Sequence, residues 1–307
     1  MATADTAQGS RSELLYKKQT VLGTVATGNF TKLRYNTHGL KVPIATLESQ
    51  EIRADREVSD LRHGGRHAMG PIDVDLCFAD HDDLIEAALF STFGTDSITI
   101  GVTPQYLSIE DGQLDIDEYQ MYQDMLCTTM RLSAAPNSIV TASFAMVGTN
   151  AAALTTSTGG GTAVAASTNQ PFDSWNGSIF DNEGETGTEI ASITAFEMTI
   201  ENGISPNFSV GQQTPLNLQY GRGRVTGQLT AHFEDQIWIN RFLGESITPI
   251  ILNMTDPGGN VMEFRMERTK FTDADRPVAG EGARLITLPF AALLDASIGS
   301  ALQITKA

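Results

Sequence analysis

The sequence predicts a mainly β fold: two tandem β-sandwich or barrel domains, each with one short flanking α-helix. The first observation is alternation. Apolar and polar residues alternate with the period of two that a half-buried strand requires, in KVPIATLE from Lys41, PIDVDLCF from Pro71, SITIGV from Ser97 and SIVTASFAMV from Ser138. The second is repetition. LRHGGRHAMG from Leu61 returns as LQYGRGRVTG from Leu218, with Leu61, Gly64 and Gly70 falling on Leu218, Gly221 and Gly227 at one constant offset. Each copy runs into an alternating strand and then a helix with an acidic start, IDVDLCF before DHDDLIEAALF and LTAHF before EDQIWINRFLG. A third anchor, IVTASFAM from Ile139, matches LITLPFAA from Leu285. Three anchors in the same order point to a duplication rather than to two unrelated β-rich domains.

The elements follow in order. Residues 1–26 read as an N-terminal arm: small and polar to about residue 12, expected to be disordered when free, then less polar in ELLYKKQTVLGTVA. Residues 27–146 form the first domain. In PIDVDLCF, Ile72, Val74, Leu76 and Phe78 share one face, and Asp73, Asp75 and Cys77 the other. The charge-rich stretch before it, ESQEIRADREVSDLRHGGR, is either an extended hairpin or an ordered loop. Asp80, Asp82 and Asp83 suit a helix start, where the N-terminal dipole favours carboxylates. Leu84, Ile85, Ala88, Leu89 and Phe93 give that helix an apolar stripe, and Gly94 is its expected stop. Residues 147–170, uncharged and rich in Ala, Thr, Gly and Ser, read as a linker. Residues 171–307 form the second domain. It opens with PFDSWNGSIF and ASITAFEMTIENG, two runs expected to pair as a hairpin across the acidic turn DNEGETGTE. QLTAHFE, a short helix near Trp238, PIILNMT, VMEFRM and LITLPFAALL follow, with DPGG at Asp256 as a strong turn.

Composition narrows the function. The 307 residues are 41% hydrophobic, enough for one large core or two ordinary ones. No apolar run is long enough for a membrane helix, and the N-terminus lacks the apolar core of a secretory signal, so no membrane partner is expected. Two cysteines, Cys77 and Cys127, are too few for a disulfide framework. The net charge is −17, and no Lys or Arg stands between Arg66 and Arg131 or between Arg131 and Arg222. That argues against a groove gripping nucleic acid, which needs cations against phosphates. The acidic windows are either a solubilising face or a surface that must not hold nucleic acid.

Motifs for chemistry are missing. Gly159–Gly161 has no following Lys and lies in the linker, so it is not a phosphate loop. His38, His63, His67, His81 and His232 lack metal-ligand spacing. Asp111, Asp115, Asp117 and Glu118 miss the glycine and the last glutamate of a calcium loop. No catalytic residue, metal or cofactor is expected.

Several segments resemble the major tail tube proteins of long-tailed bacteriophages. SQEIRADREVSDLRHG (49–64), DDLIEAALFSTF (82–93) and PNSIVTASFAMVG (136–148) resemble their first half. FDSWNGSIF (172–180), ITAFEMTIENGI (193–204), LQYGRGRVTGQLTAHFED (218–235) and ITLPFAALLDASIGSALQIT (286–305) resemble the second. The resemblance implies a virion structural protein, assembled in the host bacterial cytoplasm, whose rings stack into a tail tube. The inner strands would join into one barrel around a channel that double-stranded DNA crosses without specific binding. Terminator, tape measure and distal tail proteins would be its other partners. Two tube domains per chain imply trimeric rings with pseudo-sixfold symmetry; six chains per ring is the alternative. A tail-tip, tail-completion or adhesin-like protein, and a carboxylate-based hydrolase, are the competing readings.

In this frame Asp73 and Asp75, with Glu197, Glu201, Gln228, Thr230 and His232 in the second domain, are channel-lining candidates. Strand alternation fixes two faces without saying which one the channel sees. Arg53, Arg56, Asp60, Arg62 and Arg66, with Arg222 and Arg224 of the matching loop, are candidates for contacts between rings. The other reading of that loop is exposed local ion pairs, which stabilise little.

Overall fold

The computed structural model describes residues 6–55, 57–180, 192–234, 236–278 and 280–307. Arg56, the acidic turn at 181–189 and Asp235 of the second helix start lie outside the described residues. In the first half the elements are β1 (Ser12–Lys18), β2 (Thr31–Lys32), β3 (Thr37–His38), β4 (Ile44–Glu48), β5 (Leu61–Arg66), β6 (Ala68–Asp75), α1 (Asp82–Leu89), β7 (Ser97–Thr99), β8 (Leu107–Gln113), β9 (Glu118–Ala134), β10 (Thr141–Gly148) and β11 (Asn150–Ala151). The second half holds β12 (Gly177–Phe180), β13 (Ile193–Glu201), β14 (Ser205–Asn207), β15 (Asn217–Gln219), β16 (Arg224–His232), α2 (Ile237–Leu243), β17 (Thr248–Thr255), β18 (Val261–Phe271), β19 (Leu285–Ala292) and β20 (Gln303–Lys306).

The fold is mainly β, as expected. Its spine is one antiparallel path, β3-β6-β10-β9-β13-β16-β19-β18-β17-β12. The order β3, β6, β10, β9 is followed by β13, β16, β19, β18. The flanking pairs run alike: β1 with β8 and β8 with β9, then β12 with β17 and β17 with β18. β11 lies on β9 as β20 lies on β18. The halves are joined by β9 on β13 and by β7 on β20. One apolar core spans them, with Leu14, Ile72 and Phe144 from the first half and Phe196, Phe264 and Phe290 from the second. Alternation drives this: on β6, Ile72 and Val74 are fully buried while Asp73 and Asp75 are only half so.

Several expectations change. Ser12–Lys18 is no loose arm: β1 pairs with β8 along its whole length and buries Leu14, Leu15 and Tyr16. The 172–180 and 193–203 runs are not a hairpin, because β12 pairs with β17 while β13 is inserted between β9 and β16. In that central position Phe196, Met198 and Ile200 are all buried. Gly94 does not end α1. The helix stops at Leu89, and Phe90 turns into the left-handed region (φ 52°). That turn sends its ring into a small cluster with Leu126, Val147 and Leu218. The acidic stretch near Asp111 belongs to a β8–β9 hairpin, with Asp115 and Asp117 in its turn.

The 147–170 segment is laid along the first half. The Phe30 N–H donates to the Gly160 carbonyl, the Val164 N–H donates to the Phe30 carbonyl, and Thr155 pairs with Tyr119. Buried Glu110 accepts from the Thr158 hydroxyl and from the N–H groups of Gly159 and Gly160.

Candidate functional site

The strand ladders bring the channel-lining candidates onto one sheet face. One row crosses six pairings, Thr37–Asp73–Ser143–Arg131–Thr199–Thr226–Ala291. The next runs Asp75–Thr141–Ser133–Glu197–Gln228–Pro289. Glu201 lies opposite both Thr129 and Arg224, and Thr230 opposite Thr287. His232 continues the exposed positions of β16. All seven candidates therefore share a face, away from the core residues that alternate with them.

Two of the carboxylates are held rather than free. Asp73 accepts from the hydroxyls of Thr37 (2.8 Å) and Ser143 (2.5 Å). Asp75 accepts from the Asn36 amide at 2.7 Å. These bonds tie β3 and β10 to β6. Glu197 and Glu201 are exposed. The face is also less uniformly acidic than the charge windows suggested. Arg131, on the unassigned strand β9, sits in its middle row, and Lys41 lies opposite Met69 on the same side of the sheet as Asp73. Arg224, grouped with the loop arginines in the sequence, stands on this face opposite Glu201.

Of the remaining contact-loop candidates, Arg53, Asp60, Arg62 and Arg66 lie on one hairpin, which a second hairpin of the other half adjoins. β4 pairs with β5, and β14 with β15. Arg53 bonds Asp55 at 2.7 Å and Arg62 bonds Asp60 at 3.1 Å, both on the surface. The hairpins touch: the Arg66 N–H donates to the Gln213 carbonyl at 2.7 Å, and the Phe208 ring lies over Gly65 and edge-on to His67. Arg222 is exposed between β15 and β16. The first hairpin also carries exposed apolar side chains, Leu47, Ile52 and Leu61, with Ile52 at 99% exposure. Apolar side chains this exposed suit a surface that a partner covers.

Elsewhere the polar groups serve structure. Cys77 and Cys127 are buried and free, and burial pushes the Cys77 thiol up to about 11 and Cys127 higher, so neither is a nucleophile. Asp111 is raised by burial beside His38, whose charge opposes the shift. A cavity of about 260 Å³ between the halves is lined by Ala134, Val140, Ile179, Phe196 and Leu252. Its carboxylate, Asp173, already accepts the N–H groups of Trp175 and Asn176. Among the described residues no cluster of His, Cys, Asp or Glu is placed to hold a metal.

A continuous antiparallel sheet with one mixed polar face and two projecting hairpins defines a structural β protein. The chain matches the family model of the phage tail tube protein over residues 9–292 and belongs to that family, whose members are structural components of the phage tail. No curated protein matches it. A cryo-EM structure of the anti-feeding prophage baseplate, sixfold symmetrised, is similar over 37% of this chain and 85% of that chain, at 12% identity and a TM-score of 0.28.

Proposed function

We propose that this chain is the tail tube subunit of a long-tailed phage, and that three copies close into a ring whose stacking builds the tube. The carrying observation is the strand order β3-β6-β10-β9 followed by β13-β16-β19-β18. Two like four-stranded units side by side in one sheet support a duplication, and three chains then bring six units to a ring. The edge beside β6 at one end, and the edge beside β19 where the chain runs on past β18 at the other, favour further pairing, since a closed barrel leaves no edge. Head-to-tail contacts of this kind close into rings.

The polar face is the channel wall in this reading. Carboxylates Asp73, Asp75, Glu197 and Glu201 alternate there with Arg131, Arg224 and threonines, so DNA meets repulsion and attraction in close succession and no continuous cationic track. The β4–β5 hairpin, carrying Arg53, Asp60, Arg62 and Arg66, is the contact to the next ring. Assembly takes place in the host cytoplasm, with terminator, tape measure and distal tail proteins at the ends.

Electron microscopy of the purified protein tests this. Stacked rings with a central hole, threefold on rotational averaging with six similar lobes, are expected. Monomers at every concentration, together with particles that lack this chain in their tube, would reject it.

A further inference from the structure

We infer that residues 38–42 of one chain pair antiparallel with residues 274–278 of a second copy, with Lys41 directly opposite Asp275. The inference rests on the ring reading above and specifies its seam. These segments flank the row β6-β10-β9-β13-β16-β19, which carries the polar face. The first lies along β6, with Lys41 paired to Met69 and Gly39 donating to Pro71 at 2.8 Å. The second lies along β19, with Asp275 and Thr287 exchanging both backbone hydrogen bonds.

The joint inside the chain supplies the template. The row Thr37–Asp73–Ser143–Arg131 in the first half has its counterpart in Ala195–Thr230–Thr287–Asp275 in the second. Lys41 then occupies the place of Thr199, and Asp275 the place of Arg131. Within the chain Thr199 stands opposite Arg131. The same joint between chains sets Lys41 opposite Asp275, Leu40 opposite Arg276 and Val42 opposite Ala274.

Two independent features agree with this register. The first is charge: a cation faces an anion, and among the described residues neither Lys41 nor Asp275 has an ion-pair partner in its own chain. Opposite charges across a strand pair stabilise it and like charges oppose it. The second is hydrogen-bond phase. Gly39, Lys41 and Asp275 spend their backbone groups on their own chain, so those of Leu40, Val42, Ala274 and Arg276 point the other way, with the Ala274 N–H meeting the exposed Asp273 carboxylate that the new strand would displace. The inferred register sets these outward groups against each other, and a slip by one residue would not. Pro277 shares the phase of Asp275, so it removes no donor from the edge. The Arg276 carbonyl accepts from both Nε and Nη2 of Arg284, a surface side chain that would give way to the new strand.

The test is disulfide trapping in the full chain. Lys41 and Asp275 form a non-hydrogen-bonded pair in this register, with Cα atoms about 4.5 Å apart, inside disulfide reach. The double variant Lys41→Cys/Asp275→Cys, oxidised after assembly, should give a covalent species that stops at three chains, while either single variant gives none. Cys77 and Cys127 are buried and stay out of the reaction. Wild-type tubes alongside double-variant tubes whose thiols stay free would overturn the seam and leave the ring reading standing. Wild-type protein that forms no rings would overturn both. Charge exchange is the second measurement. Lys41→Asp and Asp275→Lys should each reduce assembly at least several-fold, and the combined exchange should restore it. A combined variant that assembles no better than the single ones also overturns the seam.

Discussion

Gly227 and Phe290 stand directly opposite each other on β16 and β19, and the Phe290 ring fills the space a side chain at position 227 would need. A β carbon there would sit 2.5 Å from the Glu197 carbonyl oxygen and closer still to the ring. Phe290 is in turn stacked on Phe196 at 6.2 Å, so it has nowhere to retreat. Gly227→Ala should therefore destabilise the monomer by about 1–3 kcal/mol, the range for overpacking a core. Its Tm should fall by several degrees, at roughly 2–4 °C per kcal/mol for a chain of this size class. Gly282→Ala, with open space around it and no left-handed backbone, is the control and should leave Tm unchanged. Equal Tm values for the two variants would refute the packing argument.

A pH effect follows from His81. Its ring is buried, Nδ1 accepts the Cys77 N–H at 3.3 Å, and Nε2 lies 3.0 Å from the Arg34 carbonyl, to which it donates. Burial depresses its pKa, with the nearby Asp80 charge acting in the opposite direction. The unfolded chain, with a pKa of about 6.5, thus takes up the proton first. The associated stability is present above that value and is lost as pH falls from about 6.5 toward the folded pKa. Urea unfolding at pH 7.5 and 5.5 should show a larger loss for the wild type than for His81→Gln. Identical losses would remove His81 as the source.

Much of this fold is legible in the sequence where one strand face is buried and its partners are regular. β6, β10, β13, β16 and β19 all follow the period of two, and that period placed Asp73, Glu197 and Gln228 on a face opposite the core. β9 is not legible because it serves two pairings. Its first part lies on β8 and its second on β10 and β13, and Asp124 between them has φ 55°. That kink breaks the alternation, with Met125, Leu126 and Cys127 all buried in succession. Arg131 on the polar face is not legible for the same reason, because its strand is not. The third repeat anchor set Phe144 on Phe290. The ladders instead place Met146 opposite Gly70 and Phe290 opposite Gly227, so similarity of sequence slipped by one pleat where face, rather than residue identity, is what packing reads.

The loop arginines make a separate prediction. Arg53 and Arg62 engage Asp55 and Asp60, two residues away on an exposed hairpin, and such solvent-screened pairs stabilise little. Arg53→Glu/Arg62→Glu should therefore leave monomer unfolding unchanged, while reversed charge blocks the stacking of rings. Sedimentation of assembled material reads the second effect. Tubes of normal length would assign these arginines to local pairing alone.

The channel face is tested best at Glu197. Asp73 and Asp75 hold neighbouring strands through Thr37, Ser143 and Asn36, so replacing them confuses lining with folding. Glu201 faces Arg224, where a lysine would create a like-charged pair. Glu197 instead lies between Ser133 and Gln228, both neutral. Glu197→Lys is thus a surface change, expected to alter stability by no more than about 0.5 kcal/mol. Repeated around every ring, it turns a row of anions into a row of cations along the wall. Each cation that contacts phosphate adds to a salt-dependent affinity for DNA. Tubes should assemble at normal length, and DNA release from the particles should slow at low salt and recover as salt is raised. Release at the wild-type rate in low salt, from particles whose tubes carry the variant, would place Glu197 outside the channel.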